Sequence, residues 1–219
     1  MENDYNIING CLRSPFRMIA AGPSSSGKTT FVCDLLKNKE AMIDDNIDYI
    51  VWFFGQSRPN YDFSNENIEF VRGLPDVFDG YIIEGKTGLF VFDDLISEAS
   101  DSSLISDFFT KRSHHDNINI IFITQNFFQK GSNRITMAKN CTYIVLFNNP
   151  LDKSISYSFA KKLMPQNQKC FIDIYNYALS KPHGYIFLDG SQKSDPNMRF
   201  RTDLINKSNI QRVFIPNKK

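Results

Sequence analysis

The residues best suited to chemistry in this chain form one run, GPSSSGKT, at residues 22–29. The run matches G-x-x-x-x-G-K-[ST], in which glycines let the backbone turn closely around phosphate groups and successive N–H groups point at them. Lys28 is then expected to reach the β- and γ-phosphates of a nucleotide, and the Thr29 hydroxyl to hold Mg²⁺. The phosphate contacts are expected from this run and the residue after it: Gly22, Pro23, Ser24, Ser25, Ser26, Gly27, Lys28, Thr29 and Thr30.

Two carboxylates end a later apolar run, GLFVFDD, at residues 88–94. A buried strand here would deliver Asp93 beside the phosphate loop, where it can hold Mg²⁺ through water, and Asp94 could orient or deprotonate an attacking water. The alternative is a strand that simply ends at an acidic turn. The strict phosphate-loop pattern upstream favours the metal-binding interpretation, because the two motifs serve one metal ion.

A polar residue also ends the apolar run NINIIFIT at residues 117–124. Gln125, at the tip of that strand, could hydrogen-bond both the γ-phosphate and the attacking water and so report hydrolysis to the rest of the molecule. The alternative is a strand end that is merely capped by amide side chains. The pattern leaves both interpretations open.

A local positive segment follows in this otherwise neutral chain. No acidic residue occurs between residues 117 and 151, whereas Lys130, Arg134 and Lys139 do. These side chains could face DNA phosphates or the nucleotide of a neighbouring subunit. The alternative is a solvated basic loop.

Apolar runs of strand length alternate with stretches of helical periodicity. The pattern predicts strands at residues 16–21, 49–55, 88–94, 117–124 and 143–147, and helices from the phosphate loop to about residue 39 and at 100–112, 152–164 and 170–179. Segments 184–188 and 198–201 are expected to pair as a hairpin. Alternation of this kind predicts an α/β sandwich around a mostly parallel sheet. We divide the chain into an arm (1–15), one domain (16–205) and a basic tail (206–219) with no assigned role.

Composition limits the class of protein. With 219 residues, 42% of them hydrophobic, the chain can build one sizeable core, and a net charge of +1 gives no global field for binding nucleic acid. Any DNA contact must therefore come from a local patch. The four cysteines are scattered without metal-ligand spacing and are expected to be free thiols in a reducing compartment. The N-terminus lacks a signal peptide and no apolar run is long enough for a membrane, so we expect a soluble intracellular protein.

These motifs together resemble the genome-packaging ATPases of large and mid-sized DNA viruses, the poxvirus-type and Polinton-type enzymes of the FtsK–HerA superfamily. The similar segments keep one order and cover about residues 15–205: PFRMIAAGPSSSGKTTF, LFVFDDL, TKRSHHDNINIIFITQNFF, YIVLFNNPLDKS and KPHGYIFLDG. The phosphate loop alone is generic, and the SHH…ITQN block is the more specific signal.

The resemblance implies a RecA/ASCE-like P-loop NTPase fold and a motor that hydrolyses ATP, with Mg²⁺, to thread double-stranded DNA into a capsid. It also implies a homo-oligomeric ring, a capsid portal or vertex protein as a partner, and a location in the host cytoplasm or nucleus or in the virion. By position, Lys28 and Thr29 serve phosphate and Mg²⁺, Asp93 is the Walker B ligand, Asp94 activates water and Gln125 is the sensor. Many relatives in the wider class have glutamate where this chain has Asp94.

A ring motor also needs a basic residue from the neighbouring subunit to stabilise the charge of the transition state. The first candidate for this catalytic role is Arg112. It lies at the end of the helix that is predicted between the GLFVFDD run and the sensor strand. Arg134 is the second. The alternative for each is an ordinary surface arginine.

Other nucleotide-binding classes fit less well. The chain lacks the D-x-x-G and N-K-x-D motifs of GTPases and the L-S-G-G-Q signature of ABC-type ATPases. An AAA+ or helicase-like ATPase stays open, with Asn126 rather than Gln125 as the sensor. A small-molecule kinase would need an arginine-rich lid, and the loop at residues 56–80 offers only Arg58 and Arg72. A nucleotide-binding interaction protein with little turnover is disfavoured by the intact catalytic residues.

Overall fold

A computed structural model describes residues 10–63, 67–95, 108–125, 127, 139–205 and 211–216, with all side chains in these ranges except those of residues 110, 111 and 114. The regular elements, in chain order, are β1 (Arg17–Ala21), α1 (Lys28–Lys37), α2 (Lys39–Met42), β2 (Tyr49–Phe54), β3 (Ile68–Arg72), a 3-10 turn (Asp79–Tyr81), β4 (Gly88–Asp93), a π-helical turn (Phe108–Arg112), α3 (Ser113–His115), β5 (Ile118–Thr124), β6 (Tyr143–Phe147), α4 (Ser154–Leu163), α5 (Gln168–Ala178), β7 (Tyr185–Asp189), a 3-10 turn (Pro196–Met198), β8 (Phe200–Thr202) and β9 (Arg212–Phe214).

The strands of the described residues form one mixed sheet in the order β3-β2-β4-β5-β1-β6-β7-β8-β9. Neighbouring strands from β3 to β6 are parallel, and β7, β8 and β9 continue the sheet antiparallel. A parallel sheet that is covered on both faces needs nearly continuous apolar strands. Strand β5, for example, is buried at every position. The predicted α/β class with a mostly parallel sheet is therefore confirmed.

Helices cover both faces of the sheet. On one face, Phe31 and Leu35 of α1 share a core with Trp52 of the sheet. On the other face, Phe159 of α4 and Phe171 of α5 share a second core with sheet residues such as Phe122. Side chains alternate between the two faces of a strand, so one sheet supplies both cores. The result is the predicted three-layer sandwich.

Strand β5 separates β1, which enters the phosphate loop, from β4, which carries the paired carboxylates. Its last residues pair with the ends of both neighbours, Thr124 with Ala21 and Ile123 with Asp93. The carboxyl ends of the three parallel strands therefore meet at one edge of the sheet. Gln125 follows β5 directly and lies between the other two strand ends.

The ends of the chain contribute more than the sequence predicted. Leu12, in the predicted arm, is fully buried, and its N–H donates to the Met42 carbonyl at 2.7 Å. Residues 212–214, in the tail with no assigned role, pair with β8 as strand β9. Both segments are too short to show periodicity and gain their structure from neighbours distant in sequence. Within the described ranges, no helix combines the length and the apolar character needed to cross a membrane.

Candidate functional site

The phosphate loop is anchored at the carboxyl edge of the sheet. The Gly22 N–H donates to the Thr124 carbonyl at 3.2 Å, which joins the loop to the end of β5. A Cβ at Gly22 would lie 2.6 Å from the Cβ of Phe147, so only glycine allows the loop to pass this close to β6. Ser25 and Gly27 have φ values of +61° and +103°. Such left-handed residues turn successive N–H groups toward one concave site that suits an anion.

The start of α1 leaves polar groups without partners. Gly27 is the N-cap residue and no side chain caps the helix, so the first N–H groups of α1 lack acceptors within the helix and carry its positive dipole end. Among the described residues, the buried Ser26 Oγ has no hydrogen-bond partner. A buried hydroxyl without a partner costs free energy, and a bound phosphate oxygen would remove that cost. These groups fit the predicted phosphate ligand.

Lys28 is buried inside the loop. The residue is 8% exposed, and its Nζ donates to the Pro23 carbonyl at 2.7 Å. Burial lowers the pKa of Lys28, whereas the carboxylates of Asp93 and Asp94 oppose that change. The Lys28 Nζ therefore hydrogen-bonds the loop backbone and lies close enough to both carboxylates to interact with their charges.

The paired carboxylates differ in their surroundings. Asp93 ends β4 and is half-buried; burial, and then the charge of Asp94, raise the pKa of Asp93 to about 6, while Lys28 opposes the increase. Asp94 is exposed and has a φ of +56°, a backbone conformation that costs free energy in a residue other than glycine. The turn is held by the Asp94 N–H, which donates to the Ile123 carbonyl at 3.3 Å.

Gln125 lies next to the second carboxylate. Its Nε2 is 3.4 Å from each of the two carboxylate oxygens of Asp94. The structure thus brings together the phosphate loop, both carboxylates and the predicted sensor, although they come from three separate strands. The other sensor considered, Asn126, lies outside the described residues, as do Lys130 and Arg134.

Arg112 is not part of this cluster. Its guanidinium pairs with Asp79 at 2.5 Å and with Asp116 at 3.1 Å. The residue precedes β5, whereas the site follows the last residue of that strand. Seven strand residues span about 20 Å, so Arg112 lies at the opposite edge of the sheet from its own phosphate loop.

A cavity of about 420 Å³ adjoins the phosphate loop. Its wall includes five residues predicted from the motif: Ser25, Gly27, Lys28, Thr29 and Thr30. It also includes six that the sequence did not assign: Phe31, Asp34, Phe147, His183, Tyr185 and Ile205. Helical periodicity could have indicated position 34, because residues seven apart lie on one face of α1. The KPHGYIFLDG segment contains two more of the six, yet nothing local to it points to a site.

A metal ion at this site would need ligands from the nucleotide as well as from the protein. Within the described part of the chain, no group of three or more histidine, cysteine or acidic residues could hold a metal by itself. Mg²⁺ is usually held by one or two carboxylates together with substrate phosphates. The oxygen donors of Thr29 and Asp93 fit that mode.

The described side chains of the segment after β2 contact neighbouring elements of the fold. The Tyr61 hydroxyl donates to the Asp34 carboxylate, and the Lys37 ammonium lies 4.4 Å from the centre of the Tyr61 ring. The Arg58 guanidinium stacks 3.7 Å from the centre of the Phe70 ring. The segment therefore packs against α1 and β3.

No protein-family model and no curated protein matches the sequence. Solved structures do match the fold. The DNA-packaging ATPase B204 from Sulfolobus Turreted Icosahedral Virus matches with a TM-score of 0.54 and 14% identity over 94% of this chain and 100% of that chain. The genome packaging NTPase B204 from Sulfolobus turreted icosahedral virus 2, in complex with AMPPCP, matches with a TM-score of 0.54 and 13% identity over 93% of this chain and 99% of that chain. The same NTPase in complex with ATP-gammaS matches with a TM-score of 0.52 and 11% identity over 93% of this chain and 98% of that chain. The chain is thus similar in fold, along nearly its whole length, to genome-packaging P-loop ATPases.

Proposed function

We propose that this protein is an ATPase that moves double-stranded DNA into a viral capsid. The observation that carries the ATPase part is the meeting of Lys28, Asp93, Asp94 and Gln125 at one edge of the sheet. The DNA part rests on the ordered motif blocks and on the fold shared with the packaging NTPases. A homo-oligomeric ring and a capsid vertex or portal partner belong to the same proposal.

Binding of ATP would use groups that the folded chain leaves available. The N–H groups at the start of α1 have no side-chain cap, and the Ser26 hydroxyl has no partner in the described structure, so these groups can donate to phosphate oxygens. Lys28 would exchange its hydrogen bond with the Pro23 carbonyl for one with a phosphate. This exchange replaces a neutral acceptor with a charged one and so strengthens the hydrogen bond.

Hydrolysis would divide the work between the carboxylates. Thr29 and Asp93 would hold Mg²⁺, which neutralises negative charge on the phosphates when it is bound. Asp94 is the exposed carboxylate and would orient and deprotonate the attacking water. Gln125 contacts Asp94 and would also help to orient that water. Loss of the γ-phosphate would therefore change the contacts of Gln125 at the end of β5.

Steady-state ATP hydrolysis with and without linear double-stranded DNA tests both parts of the proposal. Lys28→Ala and Asp94→Asn are each expected to lower kcat by about 100-fold or more, because each removes a group that acts on the reacting phosphate or water. Lys86→Ala and Asp76→Asn are matched controls, since both side chains are exposed and outside the site. DNA is expected to stimulate the wild-type protein.

The outcomes separate the two parts. If DNA leaves turnover unchanged and the protein stays monomeric with ATP present, the motor assignment is wrong and the ATPase assignment survives. If Lys28→Ala hydrolyses ATP as fast as Lys86→Ala, the assignment of hydrolysis to this site is wrong, and if the wild-type protein does not hydrolyse ATP, the ATPase assignment itself is wrong.

A further inference from the structure

A tight turn beside the phosphate loop holds a histidine that the proposed chemistry does not use. The Gly184 N–H donates to the Lys181 carbonyl at 2.9 Å, which closes the turn. His183, inside it, has a φ of +56°. A residue other than glycine adopts this conformation at a cost, and such strain persists where the surroundings impose it.

The residues around His183 enforce its left-handed backbone conformation. A Cβ at Gly184 would lie 2.7 Å from the Ala178 carbonyl oxygen, so the turn is seated on the end of α5 and admits only glycine at that position. On its other side the turn meets the phosphate loop. The Cβ position of Gly27 is 3.2 Å from the His183 Cβ and 3.4 Å from its Nδ1. The fold thus uses strained backbone to place an exposed imidazole against the loop.

The cavity below this histidine has an aromatic floor. The ring of Tyr185 packs edge-on against Phe31, with ring centres 4.9 Å apart, and lies 5.5 Å from Phe147. The volume of about 420 Å³ is within the range of pockets that bind small ligands. More of its lining surface is apolar than polar, and several polar side chains also line it, a combination that is typical of such pockets.

The cavity runs away from the phosphate loop along α1. Residues Gly27, Thr30, Phe31 and Asp34 line it from one face of the helix. Asp34 is seven residues beyond Gly27 and hence about 10 Å further along the helix axis. A ligand with phosphates on the loop and an aromatic ring system beyond them matches this arrangement. The Asp34 carboxylate can accept a hydrogen bond from the end of the ligand that is far from the phosphates.

We propose that this cavity is the nucleoside subsite and that His183 is the residue that positions the nucleotide in it. The imidazole covers the sugar and base from the loop side, while the Phe31–Tyr185 floor packs against the base. This inference rests on the proposed binding of ATP. It predicts that His183 serves the nucleoside and not the phosphates.

Equilibrium binding by the full chain of two ligands, ATP-gammaS and inorganic tripolyphosphate, tests the inference. His183→Gly removes the imidazole and adopts the same φ without strain, so the fold is expected to survive. His183→Asn is a second variant, because asparagine also tolerates this conformation. Both are expected to weaken ATP-gammaS binding about tenfold, the usual effect of removing a side chain that packs on a base, and to leave tripolyphosphate binding unchanged. His115→Ala, an exposed histidine at the opposite edge of the sheet, is the control.

The result that overturns the inference is distinct from failure of the proposed function. Equally weakened binding of both ligands would show that His183 acts on the phosphates, and unchanged binding of both would show that it has no role in binding. Either result overturns the inference but leaves the proposed ATP hydrolysis in place. A wild-type protein that binds neither ligand overturns both proposals. An increase in KM with little change in kcat for His183→Gly would support positioning, since that pattern reflects lost ground-state binding.

Discussion

At the scale of single residues, the carboxyl end of β4 concentrates charge where water is partly excluded. Asp93 shares this corner with the charges of Asp94 and Lys28. Burial is the main cause that raises the pKa of Asp93 from 3.8 to about 6, and it outweighs the attraction of Lys28. Between about pH 4 and pH 6, the nucleotide-free protein therefore binds a proton at Asp93 that the unfolded chain releases.

This difference predicts a pH dependence of stability. Because the folded state binds more protons in that window, the free energy of unfolding falls as pH rises from about 4 to 6 and then levels off. The change in pKa corresponds to about 3 kcal/mol at most. Asp93→Asn removes the titrating group and is expected to be more stable than wild type above pH 6, with little difference at pH 4. Denaturant unfolding of the nucleotide-free protein from pH 4 to pH 8 measures this.

The exposed Asp76→Asn change provides the comparison. It should show no such dependence. A stability difference between wild type and Asp93→Asn that stays constant from pH 4 to pH 8 would contradict the assignment of this titration to Asp93.

At the scale of elements, a buried ion pair joins the antiparallel strands to both ends of the described chain. Arg201 of β8 and Asp189 of β7 are 1% and 3% exposed, and their side chains are 3.1 Å apart. The Arg201 Nη1 also donates to the Gly10 carbonyl at 2.6 Å and to the Gln211 Oε1 at 3.0 Å. One guanidinium thus ties together the segments before β1 and before β9.

Removing this arginine should be costly. Arg201→Ala leaves the Asp189 carboxylate buried without its partner and is expected to lower the free energy of unfolding by about 3–5 kcal/mol. Arg212→Ala is the matched control, because its ion pair with Asp203 is exposed and worth about 1 kcal/mol or less. Thermal and denaturant unfolding of both variants measure the difference. Equal losses would show that burial of the Arg201 pair adds nothing.

The same scale explains which elements the sequence could predict. Strands β2, β4, β5 and β6 lie within two residues of their predicted bounds, because strands buried on both faces must be continuous apolar runs. Strand β9 has three residues and exists only because β8 offers an edge, so its own residues carry no signal. Residues 96–107, most of the helix predicted at 100–112, lie outside the described residues.

The candidate site also contains features that the sequence could predict and features that it could not. The phosphate-loop residues and Asp93 are predicted from local motifs in the sequence. The contact between Gln125 and Asp94 depends on β5 lying between β1 and β4, which is a property of strand order. The approach of His183 to Gly27 depends on α5 and β7, which lie far along the chain from the loop. Neither contact can be inferred from spacing.

At the scale of the whole molecule, the position of Arg112 sets a condition on any ring. Arg112 precedes β5, a strand about 20 Å long, and so lies at the other edge of the sheet from its own phosphate loop. It can act only on a neighbour's nucleotide, and only if each subunit turns this edge toward the carboxyl edge of the next. It would also have to exchange its ion pairs with Asp79 and Asp116 for the phosphate.

Mixing of subunits tests this condition. The Arg112 side chain is 45% exposed in both of its ion pairs, so Arg112→Ala is expected to change stability by about 1 kcal/mol or less and to leave assembly intact. If Arg112 acts in trans, added Arg112→Ala subunits will lower the ATPase rate of wild-type protein by more than their share, because each one disables an intact neighbour's site. Lys86→Ala, at the same edge of the sheet, should have no effect at any ratio. A rate that falls only in proportion to dilution excludes Arg112, and the same mixture with Arg134→Ala then tests the second candidate.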